Sequence, residues 1–223
     1  FQVCANLMYC HELLENKKFE SIISSILDFA DVIYFVDSYG SLLPGQLTQL
    51  VQKFKTLFPK KKFGFHSHNN LELALSNSVE AIKNGAYIID STITGMGRGA
   101  GNLKTELLLS YLKNLNINKK INFDLLDGMI NEFEILKNEC KWGTSLPYML
   151  SGSNKIPQSN VIKFIKSRRL NYSDLLLYNQ KRNNSENKNL LKNKNKLNIN
   201  YPKENNVLLV GGGSTVKKFN NDI

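Results

Sequence analysis

Nowhere does this 223-residue chain carry an apolar run near the roughly 18 residues a membrane span needs, so no membrane segment is expected. Cysteine is scarce too. Cys4, Cys10 and Cys140 show no CxxC spacing, and an odd count argues against a complete disulfide framework. A reduced, cytoplasmic compartment is the simplest reading. No signal peptide is visible, although the chain opens at Phe1, directly in the strand-like "FQVCANL", and closes on "NNDI". Both ends read as cuts, so the expectation is an internal piece of a longer protein.

Acidic residues run short in the second half. Residues 1–115 hold 11 Lys/Arg against 10 Asp/Glu, whereas residues 116–223 hold 18 against 9. The net charge of +10 therefore belongs to the tail, and the first half is a near-neutral globular body. Basic tails bind nucleic acid or anionic lipid. Here, however, Asn dilutes the lysines ("NKNLLKNKNKLNIN") and no aromatic platform is interleaved with them. A solvated linker is expected over 181–205, with no nucleic-acid or membrane partner.

What is present is an alternation of two periodicities. "FQVCANL" (1–7), "VIYFVD" (32–37), "KFGFHSH" (62–68) and "YIIDSTI" (87–93) are strand-like. Between and after them, 13–30, 43–58, 71–85 and 102–115 have helical spacing, with Pro44 suited to a first turn and Gly85 to an end. Four strand–helix units with short connections predict an α/β fold with a parallel sheet, whose chemistry sits at the carboxyl ends of the strands. Asn6, Asp37 with Ser38, His66 with His68, and Asp90 with Ser91 gather there. The pattern predicts half of a TIM barrel over 1–115 and a helical extension over 116–180. After the 181–205 linker, "NVLLVGGGSTVKKF" opens a second α/β domain over 206–223. Its "VGGGST" turn resembles a phosphate cradle without full GxGxxG spacing, so its ligand stays unassigned.

Two of the three histidines stand two positions apart in a strand, so His66 and His68 project from one face, roughly 7 Å apart at the backbone. Their imidazoles can share a divalent ion, or they are two unrelated polar residues. Two nitrogens alone do not complete a site. In the loop "TGMGRGAGNLKTE" (94–106), glycines at 95, 97, 99 and 101 allow close backbone approach to a ligand. Arg98 there can bind a carboxylate by two parallel hydrogen bonds, and Asn102 stands at a helix start. Cys10 and His11 follow a strand without a visible third partner, which favours a surface or packing role.

Taken together, "FGFHSHNNLELALSNSVEAIKNGAYIIDSTITGMGRGAGNLKTELLLSYL" resembles the metal-dependent pyruvate aldolase and HMG-CoA lyase-like superfamily. The loop is most similar to that of the 4-hydroxy-2-oxovalerate aldolase type. The lyases' Cys-Pro pair is absent, and Asn70 and Gly97 stand where synthases carry Asp and the Glu of a Glu-Arg pair.

The resemblance implies that His66, His68 and Asn102 ligate Mn²⁺, Co²⁺ or Mg²⁺. It implies that Arg98 and Ser38 bind substrate and that Tyr148 reaches over the site catalytically. A first-strand aspartate ligand and a general base are missing here, which implies that this piece alone is inactive. The implied reaction cleaves or forms a 4-hydroxy-2-oxo acid from pyruvate and an aldehyde. The alternatives are a Claisen-type condensation of the isopropylmalate synthase kind and a non-catalytic barrel scaffold. A small 2-oxo acid is the implied partner, together with self-association or a partner enzyme.

Overall fold

The computed structural model describes residues 2–14, 16–117, 121–166, 173 and 175. The linker expected over 181–205 and the unit expected from 206 lie outside the described residues. Four strands pair in chain order in one parallel sheet: β1 (Cys4–Leu7), β2 (Val32–Asp37), β3 (Lys62–Ser67) and β4 (Ile88–Ile89). Helices α1 (Phe19–Ser24), α2 (Pro44–Leu57) and α3 (Ala74–Lys83) make the crossovers. Helix α4 (Thr105–Asn114) follows β4, and α5 (Phe123–Cys140), α6 (Leu146–Ser153) and α7 (Gln158–Lys166) come after it. A doubly wound sheet reverses its strand order at a switch point; this order runs on without reversal, as in part of a (β/α) barrel wall.

Every residue of β2 is buried, as expected of a parallel strand covered on both faces. Ile33 and Phe35 join Phe63 and Phe65 of β3 against Leu47, Leu50, Val51 and Phe54 of α2. Apolar residues three and four apart place one stripe of α2 on the sheet. Pro44 takes the first helical position, and the Gln46 side chain accepts from the Leu43 N–H at 3.0 Å, so this helix starts where its sequence predicts. The opposite sheet face carries Val32, Tyr34 and Val36, in register with Lys62, Gly64 and His66. Period two therefore sets the histidines on the face away from α2.

Two elements are shorter than their sequence predicts. The helix expected over 13–30 is a 3-10 turn at Cys10–Leu13 followed by α1 of six residues. Asn16 Oδ1 accepts from the Lys18 N–H at 2.8 Å and Ser25 Oγ donates to Ile22 O at 2.7 Å, so local side chains compete with helix bonding. The strand expected over 87–93 pairs only at Ile88–Ile89. Beyond Asp90 the chain pairs with its own returning loop: the Thr92 N–H donates to Leu103 O at 3.0 Å, and the Thr105 N–H to Thr92 O at 2.9 Å. Among the described residues no helix is long and apolar enough to cross a membrane.

Candidate metal centre

β3 delivers His66 within its last residues, and His68 follows in an isolated antiparallel bridge with Asn102. The bridge exists because the glycine-rich loop returns to the strand end: the Asn69 N–H donates to Gly101 O at 3.0 Å, and the Leu103 N–H to Ser67 O at 3.2 Å. The two imidazoles lie with centroids 5.1 Å apart at 82°. The structure thus brings together the histidine pair and Asn102, three residues that the sequence alone could only set near one another.

One of the three is backed by a carboxylate, and the other two leave a buried polar atom unpartnered. Asp90 Oδ2 lies 3.1 Å from His66 Nδ1, and Asp90 Oδ1 accepts from the Tyr34 hydroxyl at 3.0 Å. The His66 hydrogen bond, aided by Tyr34, holds the Asp90 carboxyl below its usual range against the effect of burial. An ionised carboxylate only accepts, so Nδ1 of His66 carries the proton and Nε2 keeps its lone pair. Burial, and then the charge of Asp90, push the Tyr34 phenol up, so it stays a donor. Metal-ligating histidines usually donate their other ring N–H to a carboxylate, carbonyl or water, and His66 has such a partner.

Burial, followed by the neighbouring His66 ring, lowers His68 to about 4, so its ring is neutral. Its Nδ1 is buried without a hydrogen-bond partner. The Asn102 amide donates from Nδ2 to Met96 O at 3.0 Å, which fixes its orientation, and its Oδ1 is likewise buried and unpartnered. A Cβ on Gly97 would come within 2.6 Å of Asn102 Nδ2, so only glycine lets the loop lie over this amide. Two imidazole nitrogens and an amide oxygen make a donor set suited to a borderline or hard divalent ion. Buried polar atoms are normally paired, so the two orphans fit such an ion. Among the described residues, no three His, Cys, Asp or Glu side chains converge as a metal cluster, and no carboxylate ligand joins the set.

Arg98 is exposed on the loop, and its charge adds a small downward pull on His68. Tyr148, in α6, is buried beside Ala100 with its ring against Gly99, and burial raises its pKa, keeping the phenol protonated. Ser38, expected at the substrate, is buried at the end of β2. Its Oγ accepts from the Tyr9 N–H at 2.8 Å, tying the loop after β1 to the end of β2.

Sequence reasoning left Tyr34 and Asn70 out of the site. Tyr34 is the one aromatic on its face of β2, opposite Gly64, where a Cβ would meet its ring at 2.6 Å; that pairing of large with absent side chain was the available signal. Asn70 is fully buried. It donates from Nδ2 to Tyr148 O and Ser151 Oγ, both at 3.0 Å, and accepts from Gln158 Nε2 at 3.0 Å.

Asp90→Asn keeps an acceptor for His66 but removes the charge behind it. The expected result is a 10–100-fold loss of Mn²⁺ affinity, with a smaller loss for Tyr34→Phe. Titration followed by the EPR signal of free Mn²⁺ checks this, and unchanged affinity in Asp90→Asn would discard the relay.

Asp37 supplies a pH dependence. Burial raises its carboxyl to about 6, against the backbone N–H groups of Leu42 and Ser41 at 3.0 and 3.2 Å. A folded pKa above the unfolded one means that the native state favours the proton. The contribution is complete below about pH 4 and is lost as pH rises through about 6. Wild type should therefore lose up to about 3 kcal/mol relative to Asp37→Asn between pH 4 and 7. Urea unfolding of both proteins across that range reads the difference; parallel curves would rule it out.

A barrel-type parallel sheet with two histidines at a strand end, one of them backed by Asp90, defines part of a (β/α)-barrel protein. The HMGL-like family model matches residues 17–130, and the chain belongs to that family. It is similar to the 4-hydroxy-2-oxovalerate aldolase of Thermus thermophilus, 42% identical over 100 residues, which are 44% of this chain and 29% of that protein. The Brevibacillus brevis protein of the same name is 44% identical over 106 residues, 46% of this chain and 31% of its own length. This chain thus spans about three tenths of the curated relatives it matches. Among solved structures, the N-terminal domain of a Bacteroides vulgatus protein assigned to the aldolases is 40% identical with a TM-score of 0.72, covering 80% of this chain and 58% of that one.

Proposed function

We propose that this chain is the metal-ligand half of a divalent-metal-dependent aldolase. The reaction interconverts a 4-hydroxy-2-oxo acid with pyruvate and an aldehyde. The observation that carries this reading is the grouping of His66, His68 and Asn102, the last two with unpartnered buried atoms, in a segment whose relatives at 42–44% identity are named 4-hydroxy-2-oxovalerate aldolases. The same donors favour Mn²⁺ or Co²⁺ over Mg²⁺, which prefers an all-oxygen shell.

When bound, the ion supplies Lewis-acid stabilisation of the enolate form of a 2-oxo acid. The rest is done by side chains. His66 and His68 would hold the ion, and Asp90 keeps the His66 proton on Nδ1. Arg98 suits the substrate carboxylate, which a guanidinium binds with two parallel hydrogen bonds. Tyr148, kept protonated by burial, offers a hydroxyl proton rather than a base. The domain boundaries expected at 115, 180 and 205 remain part of this proposal.

The test is pyruvate release from a 4-hydroxy-2-oxo acid with Mn²⁺, measured for this chain and for one extended to the length of its relatives. Activity is expected only in the extended chain, where a carboxylate ligand completes the shell. Inactivity there, or acyl-CoA condensation instead, would overturn the reading.

A further inference from the structure

A cavity of about 410 Å³ lies at the carboxyl end of β1 and β2, walled by the Cys10–Leu13 turn, the loop after β2 and the end of α6. At its wall sits His11, buried, with both Nδ1 and Nε2 lacking a hydrogen-bond partner. Tyr39 stacks near it with centroids 4.9 Å apart, and Glu12 Oε1 stands 3.8 Å from Nε2, beyond hydrogen-bond reach. Buried imidazoles are normally paired, so this one is a side chain awaiting a partner.

Lys155 faces the same cavity, and its backbone is unusual. It adopts φ 52, in the left-handed position after α6, while the Ile156 N–H closes back on Ser151 O at 2.8 Å. Glycine ordinarily takes that position, so a lysine there carries strain, which clusters at ligand clamps. Burial and the Lys155 charge hold His11 down to about 4, leaving it neutral with one N–H to donate. Leu14, Leu43 and Leu71 give the cavity an apolar side, and Ser41 adds a hydroxyl.

We propose that this cavity is a second small-molecule site, binding a short organic carboxylate between the His11 N–H and the Lys155 ammonium. One cation beside the acidic Glu12 suits a monoanion rather than phosphate, and the leucines suit a hydrocarbon tail. The site is separate from the metal centre and does not depend on the aldolase reading.

Only three histidines occur in the chain, so its imidazole ¹H–¹⁵N spectrum is simple to follow. Chelator-treated protein is titrated with butyrate, with inorganic phosphate in a parallel arm. Saturable shifts of the His11 signals with those of His66 and His68 unmoved are expected. Lys155→Gly removes the ammonium while suiting the left-handed backbone, so it should fold at least as well and bind about tenfold or more weakly. No His11 shift, equal affinity in Lys155→Gly, tighter binding of phosphate, or shifts centred on His66 and His68 would each overturn the proposal.

Discussion

Replacing His68 with Ala is expected to lower Mn²⁺ affinity by at least about a hundredfold, since losing a residue that merely backs a ligand already costs 10–100-fold. Nothing nearby can substitute: among the described residues no cluster of three acidic, cysteine or histidine side chains exists to recapture the ion. His66→Ala should match it, because it removes the nitrogen that Asp90 and Tyr34 orient. The metal-free proteins discriminate this from misfolding. His68 buries a ring nitrogen that has no partner, so its removal should leave metal-free stability within about 1 kcal/mol of wild type. Competition against a fluorescent chelator gives the affinities and urea unfolding the stabilities. Mn²⁺ binding undiminished in both variants would remove the histidine pair from the centre.

The second large effect is on the fold. Phe54→Ala should destabilise by about 3–5 kcal/mol. Phe54 is fully buried, with its ring edge-on to Phe35 at 5.4 Å and to Phe63 at 6.3 Å, and Phe58 at 5.7 Å closes the third side. These contacts join α2 to two strands at once, so the void cannot be filled by a single neighbour moving. Against a typical stability of about 5–15 kcal/mol, that loss removes a large share. Phe54→Leu should lose less than half as much. A urea midpoint for Phe54→Ala within error of wild type would show that α2 does not anchor the sheet.

The sheet and its crossover helices were legible in the sequence because burial imposes a period on each. α2 shows this best, with its apolar stripe, its Pro44 start and strands on either side. The short length of α1 was not legible, since Asn16 and Ser25 make local bonds that no period reveals. β4 shortened for a topological reason: past Asp90 the loop supplies its own partners, and an apolar run cannot announce that. At the centre, HxH on one strand face was readable from the two-residue repeat alone. Asp90 stood out among the polar strand ends, yet its grip on His66 depends on register between β3 and β4. Tyr34 depends on register between β2 and β3. Cys10 and His11, expected at the surface or in packing, are both buried, Cys10 in the main core and His11 at a cavity wall. Their surroundings come from β2 and α2 for Cys10 and from loops and α6 for His11, all distant along the chain.

Asn70 has a dynamic consequence. One buried amide takes up a backbone carbonyl and a hydroxyl from α6 and a side-chain donor from α7, two residues beyond His68. Opening either helix away from the sheet leaves that amide short of a partner, and satisfying it fully again requires both helices to return. The end of β3, α6 and the start of α7 should therefore open as one cooperative unit, with amide protons such as those of Leu71, Asn154 and Ile156 exchanging at a shared free energy. The histidines would then be framed by a seam that yields all at once or not at all.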